Sequence, residues 1–378
     1  MASDTAELIL RDMLSEAGVQ IGGNAPWDLR VHNPGFYGRV LREGPLGLGE
    51  SYMDGWWDCE AVDQFIDRVL RARLEKRIKP NLKCLWYVLE SRLLNMQKKS
   101  RAYQVGEQHY DIGNDLYRAM LDKRMNYTCA YWKHANNLDD AQEAKLDMIC
   151  RKIDLKQGMR VLELGCGFGA FAGYAAEKYG AHVTGVTVSR RQLELGKELW
   201  KGLPVDLKLA DYRDVTGTFD RVISIGVMEH VGYKNYRTYM NVVNRTLAPD
   251  GITFFHTIGS NVSATRSNEW IVKYIFPNSM LPSVAQLAKA MEGLFVMEDW
   301  HNFGPDYDTT LMAWYRNFEQ AWPVLKSQYD DRFYRMWCYY LLSCAGAFRS
   351  RNINLWQVVM TRPGGPQPPA REILVDGP

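Results

Sequence analysis

The chain has 378 residues, 46% of them hydrophobic, with 46 basic and 44 acidic side chains and a formal charge of +2. That length makes two domains the natural expectation, and the near-balanced charge argues against a general nucleic-acid binder. The seven cysteines are odd in number and lack paired short spacings, which argues against a disulfide framework and a zinc knuckle. The start, M-A-S-D-T-A-E-L, has neither a basic n-region nor an apolar h-region, so no signal peptide is expected. No apolar run is long enough to span a bilayer, and a cytoplasmic protein in a reducing compartment is expected.

Residues 5–17 place Leu8, Ile9, Met13 and Leu14 at helical spacing. A loop follows at 22–26, then a short strand from Leu29 that ends in a turn at Pro34. Residues 40–55 are rich in glycine, Trp56-Trp57 is aromatic, and 61–74 is an amphipathic helix. Residues 1–90 therefore read as a small α+β domain. Residues 71–101 carry ten basic side chains against Glu75 and Glu90, with apolar residues from Leu82 to Met96 between them. That pattern fits a helix lying on an anionic membrane surface or a solvated linker helix. Residues 91–101 are taken as a basic linker and 102–378 as a second, larger domain.

The second domain opens with an aromatic segment, 103–132, and a helix at 138–155. From Arg160 the sequence runs R-V-L-E-L-G-C-G-F-G-A, an apolar strand leading straight into a glycine turn and a helix. Gly165, Gly167 and Gly169 can take positive φ and leave room for a ligand against the backbone. The turn is G-x-G-x-G, whereas a dinucleotide site asks for G-x-G-x-x-G and an acid about 20 residues on. Here the second strand, 181–188, ends in Thr187, Val188 and Ser189. Further strands are expected at 205–209, 219–225 and 252–256, followed by Asp211-Tyr212, G-V-M-E-H-V-G and Thr257-Ile258-Gly259. This βα rhythm predicts a doubly wound, mostly parallel sheet with one antiparallel strand. Residues 264–283 interrupt it and read as a lid. Strands at 294–300 and 355–360, pairing antiparallel, and helices at 310–322 and 332–349 complete the pattern.

With strand order 3-2-1-4-5, the ends of strands one, four and five are neighbours. Glu163 and the glycines, Glu229-His230 and His256 then meet in one pocket. Each alone has a bland reading, a helix-start charge or a bonded core histidine. Together, beside a glycine turn, they define a candidate site.

The E-x-G-x-G-x-G turn resembles the S-adenosylmethionine loop of class I methyltransferases, in which the acid faces the cofactor's cationic end. A wider resemblance covers nearly the whole chain. Y-T-C-A-Y-W, L-E-L-G-C-G-F-G, G-V-T-V-S-R-R-Q, G-V-M-E-H-V-G, H-T-I-G, Y-I-F-P-N, F-G-P-D-Y-D-T-T-L-M-A-W and C-A-G-A-F-R stand in this order. With the N-terminal G-P-L-G-L-G-E-S-Y-M-D-G-W-W, they resemble the bacterial cyclopropane-fatty-acyl-phospholipid synthases. The mycolic-acid cyclopropane synthases share the catalytic half.

The resemblance implies methylene transfer from S-adenosylmethionine to the cis double bond of an unsaturated phospholipid acyl chain. A carbocation forms, and bound bicarbonate takes its proton as the ring closes. The matching bicarbonate positions are Cys129 and Ile258, through backbone N–H groups, and Glu229, His256 and Tyr307, through side chains. Cofactor contacts fall on Tyr127, Thr128, Leu162, Glu163, Leu164, Gly165, Cys166, Gly167, Phe168, Gly169 and Ala170. They continue on Thr187, Val188, Ser189, Arg190, Arg191, Gln192, Asp211 and Tyr212. Phe168 stands where the family often has Trp. Cys344 matches a cysteine once suspected as the nucleophile, a role the mechanism does not require. The resemblance further implies a homodimer, peripherally attached to the inner face of a phospholipid bilayer, with no nucleic acid and no metal.

Overall fold

The computed structural model describes residues 2–74 and 113–369, with side chains from residue 5 onward. The basic stretch expected at 71–101 falls almost wholly outside them, as do residues 103–112. The described chain divides into two units.

The first unit takes residues 2–74, 265–277 and 307–353. Its two short strands, β1 (Arg30–Val31) and β2 (Trp57–Asp58), pair antiparallel. The rest is helical, including Ala2–Glu16, Gly35–Glu43, Pro45–Met53, Val62–Arg71, Glu269–Tyr274 and Asp331–Arg349. The glycine-rich stretch is thus two helices, with Pro45 at a first helical position, where its missing N–H costs nothing. Its glycines serve close approach: a Cβ on Gly49 would fall 2.4 Å from the Trp270 ring. Buried Trp57 packs against Phe36, Tyr52, Phe65 and Tyr339.

Of the stretch read as a lid, residues 265–277 belong to this unit, held by buried Trp270 against Tyr339 and by Lys273 and Tyr274, which donate to Glu50 Oε1. Arg349 ties three segments together, bonding Asp63 at 2.5 Å and gripping Asp308 with two bonds of 2.8 Å. The division therefore differs from a simple split near residue 100, because long-range packing and ion pairs group segments that are distant in sequence.

The second unit is built on a seven-stranded sheet: β3 (Arg160–Leu164), β4 (His182–Thr187), β5 (Val205–Leu209), β6 (Phe219–Ile225), β7 (Leu247–Ser260), β8 (Val296–Asn302) and β9 (Ile353–Thr361). The order is β5-β4-β3-β6-β7-β9-β8. The first five strands are parallel, and β8 pairs antiparallel with β9. β7 begins earlier than its apolar core, because a register shift lets Leu247 pair with Phe219 before Ile252 pairs with Arg221. Side chains alternate across the sheet as the pleat requires. Leu162, Val222 and Phe255 enter one apolar cluster, while Val161, Ile223 and Phe254 enter the other. Among the described residues, no helix is long and apolar enough to cross a membrane.

Candidate active site

The glycine turn leaves the carboxyl end of β3, and Gly165, Gly167 and Gly169 all have positive φ. At Gly165 a Cβ would lie 2.4 Å from Val227, whereas at Gly167 the nearest atom is Gln192 Nε2 at 3.9 Å. The backbone at Gly167 thus presents open space for a ligand. The next strand end closes tightly: Ser189 caps the helix Arg190–Leu199 through Gln192 N–H, and its own N–H donates to Thr187 Oγ1. Arg190 and Arg191 are exposed. Asp211 is buried and accepts from the N–H and Nε of Arg213. Tyr212 packs against Tyr239.

Glu163 is buried, and burial pushes its carboxyl up to about 8 against the opposing pull of Lys145 and the Ala172 amide. Its Oε2 has no protein partner. A buried orphan oxygen on an acid beside an open glycine turn fits the cationic end of S-adenosylmethionine.

Glu229 and His256 come from adjacent strands. Ile225 at the end of β6 lies opposite His256 on β7, and Gly226 N–H donates to His256 O. The short helix Met228–Val231 then carries Glu229, whose Oε1 accepts the Ile258 N–H at 2.6 Å. Burial pushes Glu229 up to about 7. His256 is also buried, and burial, Lys145, Lys152 and His301 hold it well below the ordinary histidine value. Gln357 Nε2 lies 3.4 Å from His256 Nδ1. With Gln357 donating there, the proton of the neutral ring belongs on Nε2. Glu229 Oε2 and His256 Nε2 are both buried without a protein partner. Two such atoms at neighbouring strand ends suit a small polar occupant.

The segment Tyr127–Cys129 is strapped to the helix Leu138–Lys152. Gln142 Nε2 donates to Thr128 O at 2.8 Å, and Tyr131 N–H donates to Ala141 O. Thr128 also stands at the end of β6, where a Cβ on Gly226 would meet its methyl at 2.9 Å. Cys129 is fully buried, its thiol 3.1 Å from Ala130 O. The Tyr127 ring meets Tyr117, which meets Phe168 of the glycine turn. His230, named with Glu229 from the sequence, is also buried and lowered by burial to about 4, so it is neutral near pH 7.

Tyr307 and Cys344 lie in the first unit. Tyr307 stacks on Phe348 with ring centroids 4.4 Å apart. Burial pushes the Cys344 thiol up to about 12, which leaves almost no thiolate at neutral pH. Sequence reasoning missed Gln142, Lys145 and Gln357. A Lys or Gln inside an otherwise apolar helix face or strand was the available signal.

A strand, an open positive-φ glycine turn and a buried acid, set in this sheet order, define a class I methyltransferase fold. A family model described as mycolic acid cyclopropane synthetase matches residues 97–358. The cyclopropane-fatty-acyl-phospholipid synthase of Escherichia coli K12 is 56% identical over 354 residues, 94% of this chain and 93% of that relative. A probable fatty acid methyltransferase of Pseudomonas putida is 36% identical over 269 residues, 68% of each chain. The solved structure of mycolic acid cyclopropane synthase CmaA1 complexed with SAH and CTAB has a TM-score of 0.65 at 28% identity. That likeness covers 69% of this chain and 98% of the other. The chain belongs to the mycolic acid cyclopropane synthetase family of S-adenosylmethionine-dependent enzymes.

Proposed function

We propose that this chain transfers a methylene group from S-adenosylmethionine to the cis double bond of unsaturated acyl chains in membrane phospholipids, forming cyclopropanes. The observation that carries this reading is the 56% identity, over 94% of the chain, to the Escherichia coli synthase of that name.

Gly165, Gly167 and Gly169 would hold the cofactor's backbone-facing side, with Glu163 toward its cationic end. Bound there, S-adenosylmethionine supplies an electrophilic methyl group. The chain's own residues have two tasks: to orient a weakly nucleophilic alkene and to shield a substrate cation from water. A bicarbonate ion held by Glu229, His256 and the Cys129 N–H accepts the proton lost as the ring closes, becoming carbonic acid; the Ile258 N–H, expected from the sequence to reach the ion, is instead donated to Glu229 Oε1 and positions that carboxyl. The orphan atoms of Glu229 and His256 support this assignment: Nε2–H of neutral His256 can donate to an anion, and so can a protonated Glu229 Oε2. A small exchangeable anion also resists capture by the cation as a stable adduct better than a tethered carboxylate.

The test is mass spectrometry of unsaturated phospholipid vesicles incubated with the protein and S-adenosylmethionine, with and without bicarbonate. The expected product gains one CH₂ per acyl chain, loses the double bond and depends on bicarbonate. A gain with the double bond retained, or a saturated methyl branch, overturns ring closure. Binding of S-adenosylmethionine with no lipid product points to a small-molecule methyltransferase.

The same reading includes a homodimer that attaches peripherally to anionic lipid on the inner face of the membrane, through its N-terminal domain, residues 1–90. Sedimentation as a fully active monomer overturns the first part. Equal binding to neutral and anionic vesicles overturns the second.

A further inference from the structure

Lys145 has no role in the chemistry above, yet it is one of the largest fully buried side chains in the second unit. A buried ammonium is costly unless its hydrogens are bonded. Its Nζ donates to Asn126 Oδ1 and to Thr128 Oγ1, each at 3.0 Å. Asn126 is itself fixed, because its N–H and Nδ2 donate to the buried carboxylate of Asp122. The result is a buried relay, Asp122 to Asn126 to Lys145 to Thr128, that spans the turn before Cys129 and the helix Leu138–Lys152. No carboxylate among the described residues lies within ion-pair distance of Lys145, so the relay carries its charge. Gln142, one turn earlier on the same helix face, holds the Thr128 carbonyl.

We propose that Lys145 is a positioning residue: its ammonium fixes Thr128 directly and the preceding backbone through Asn126, preorganising Tyr127–Cys129 for the cofactor. The proposal rests on the reading that this segment contacts S-adenosylmethionine. Four charged or titratable groups face the ammonium from other elements: Asp122, Cys129, Glu163 and His256. Burial lowers Lys145 to about 8, so it is still mostly charged at neutral pH.

The test is calorimetric binding of S-adenosylmethionine to the full chain at pH 7, with melting followed separately. Lys145→Met is expected to weaken binding about tenfold or more, the scale of a lost charged hydrogen bond. Lys145→Arg keeps a charged donor and is expected to recover most of that loss. A purely structural lysine would instead lower the melting midpoint of both variants and leave affinity unchanged below it. Affinity of Lys145→Met equal to wild type therefore overturns the proposal. If Lys145→Met does not fold, Asn126→Ala removes one acceptor, and a loss of about threefold is expected; unchanged affinity there overturns it equally. Wild-type protein that fails to bind S-adenosylmethionine overturns the cofactor reading and this proposal with it. Wild-type binding without lipid product leaves Lys145 in place and overturns only the lipid reaction.

Discussion

The carboxylate of Glu229 accepts the backbone N–H of Ile258 at 2.6 Å, tying the helix after β6 to the end of β7. One oxygen is thereby used to build the site, and the other is buried without a protein partner. Glu229→Gln keeps the shape and an oxygen for Ile258 but removes the ionisable group. Cofactor affinity is expected to stay within about twofold while turnover falls about a hundredfold, the scale of a lost electrostatic contact at a reacting centre. Unchanged turnover would remove Glu229 from the anion site.

Gln357 orients His256, and it does so from a strand more than 100 positions away in the chain. Gln357→Leu removes the donor to Nδ1 and frees the ring to take either tautomer. Turnover is expected to drop about ten- to a hundredfold, as misplacement of a reacting group does, with cofactor binding kept. Nitrogen NMR of the histidine ring reads the tautomer directly. A ring still protonated on Nε2 in this variant would show that Gln357 is not what fixes it.

Buried carboxyls make the stability depend on pH in a particular direction. Glu229 and Glu163 are raised to about 7 and about 8, from 4.5 when exposed. Between those limits the folded chain keeps protons that the unfolded chain has released, so stability falls as pH rises. His230, lowered from 6.5 to about 4, acts oppositely, but only below 6.5. Lys145, lowered from 10.5 to about 8, begins to favour folding only above 8. The melting midpoint is therefore expected to fall from pH 6.5 to pH 8, and Glu163→Gln to flatten that slope. A wild-type midpoint that rises across this interval contradicts the assignment.

Two glycines of the turn should fail in different ways. Gly165 has φ 71° and no room, since an added Cβ would sit 2.4 Å from Val227. Gly165→Ala is expected to cost about 3 kcal/mol, from left-handed strain plus a clash. Gly167 has φ 54° and open space, so Gly167→Ala is expected to cost only about 1 kcal/mol. It is nevertheless expected to lose cofactor affinity, because the added methyl occupies the ligand's side. Chemical denaturation and calorimetry separate the two effects.

Arg349 makes a planar fork to Asp308 and a third bond to Asp63. Lysine cannot reproduce that geometry. Arg349→Lys is expected to destabilise the protein by about 1–2 kcal/mol, allowing for partial exposure of the pair. Denaturant titration checks this, and a change below about 0.5 kcal/mol would mean that solvent screens the fork.

The sheet was legible because its signals are local. Apolar runs ending in glycine or polar turns mark β3, β5 and β6, and the sheet order brings Glu163, Glu229 and His256 to neighbouring strand ends. The helices at 35–53 were not legible, since their glycines answer to Trp270 and Arg39, partners set by tertiary packing. Lys145 and Gln357 were hidden for a related reason. A polar residue in an apolar face reads as noise until the atoms it meets are known. The 264–283 insertion reads as a lid because its aromatics break the βα rhythm; what the sequence does not show is that Trp270 is buried against Tyr339 and that Tyr274 donates to Glu50.

The first unit draws on three stretches of chain, the last of them ending at residue 353. During synthesis its opening helices emerge early, and Asp63 must wait for Arg349, nearly the whole protein later, before that ion pair can close. Much of the second unit's parallel sheet can pair while the first unit still lacks its longest helices. The N-terminal residues are accordingly poor material for a truncated fragment. Cut free near residue 90, they would expose the faces that Trp270 and Tyr339 cover, and a chaperone or a protease would meet them first.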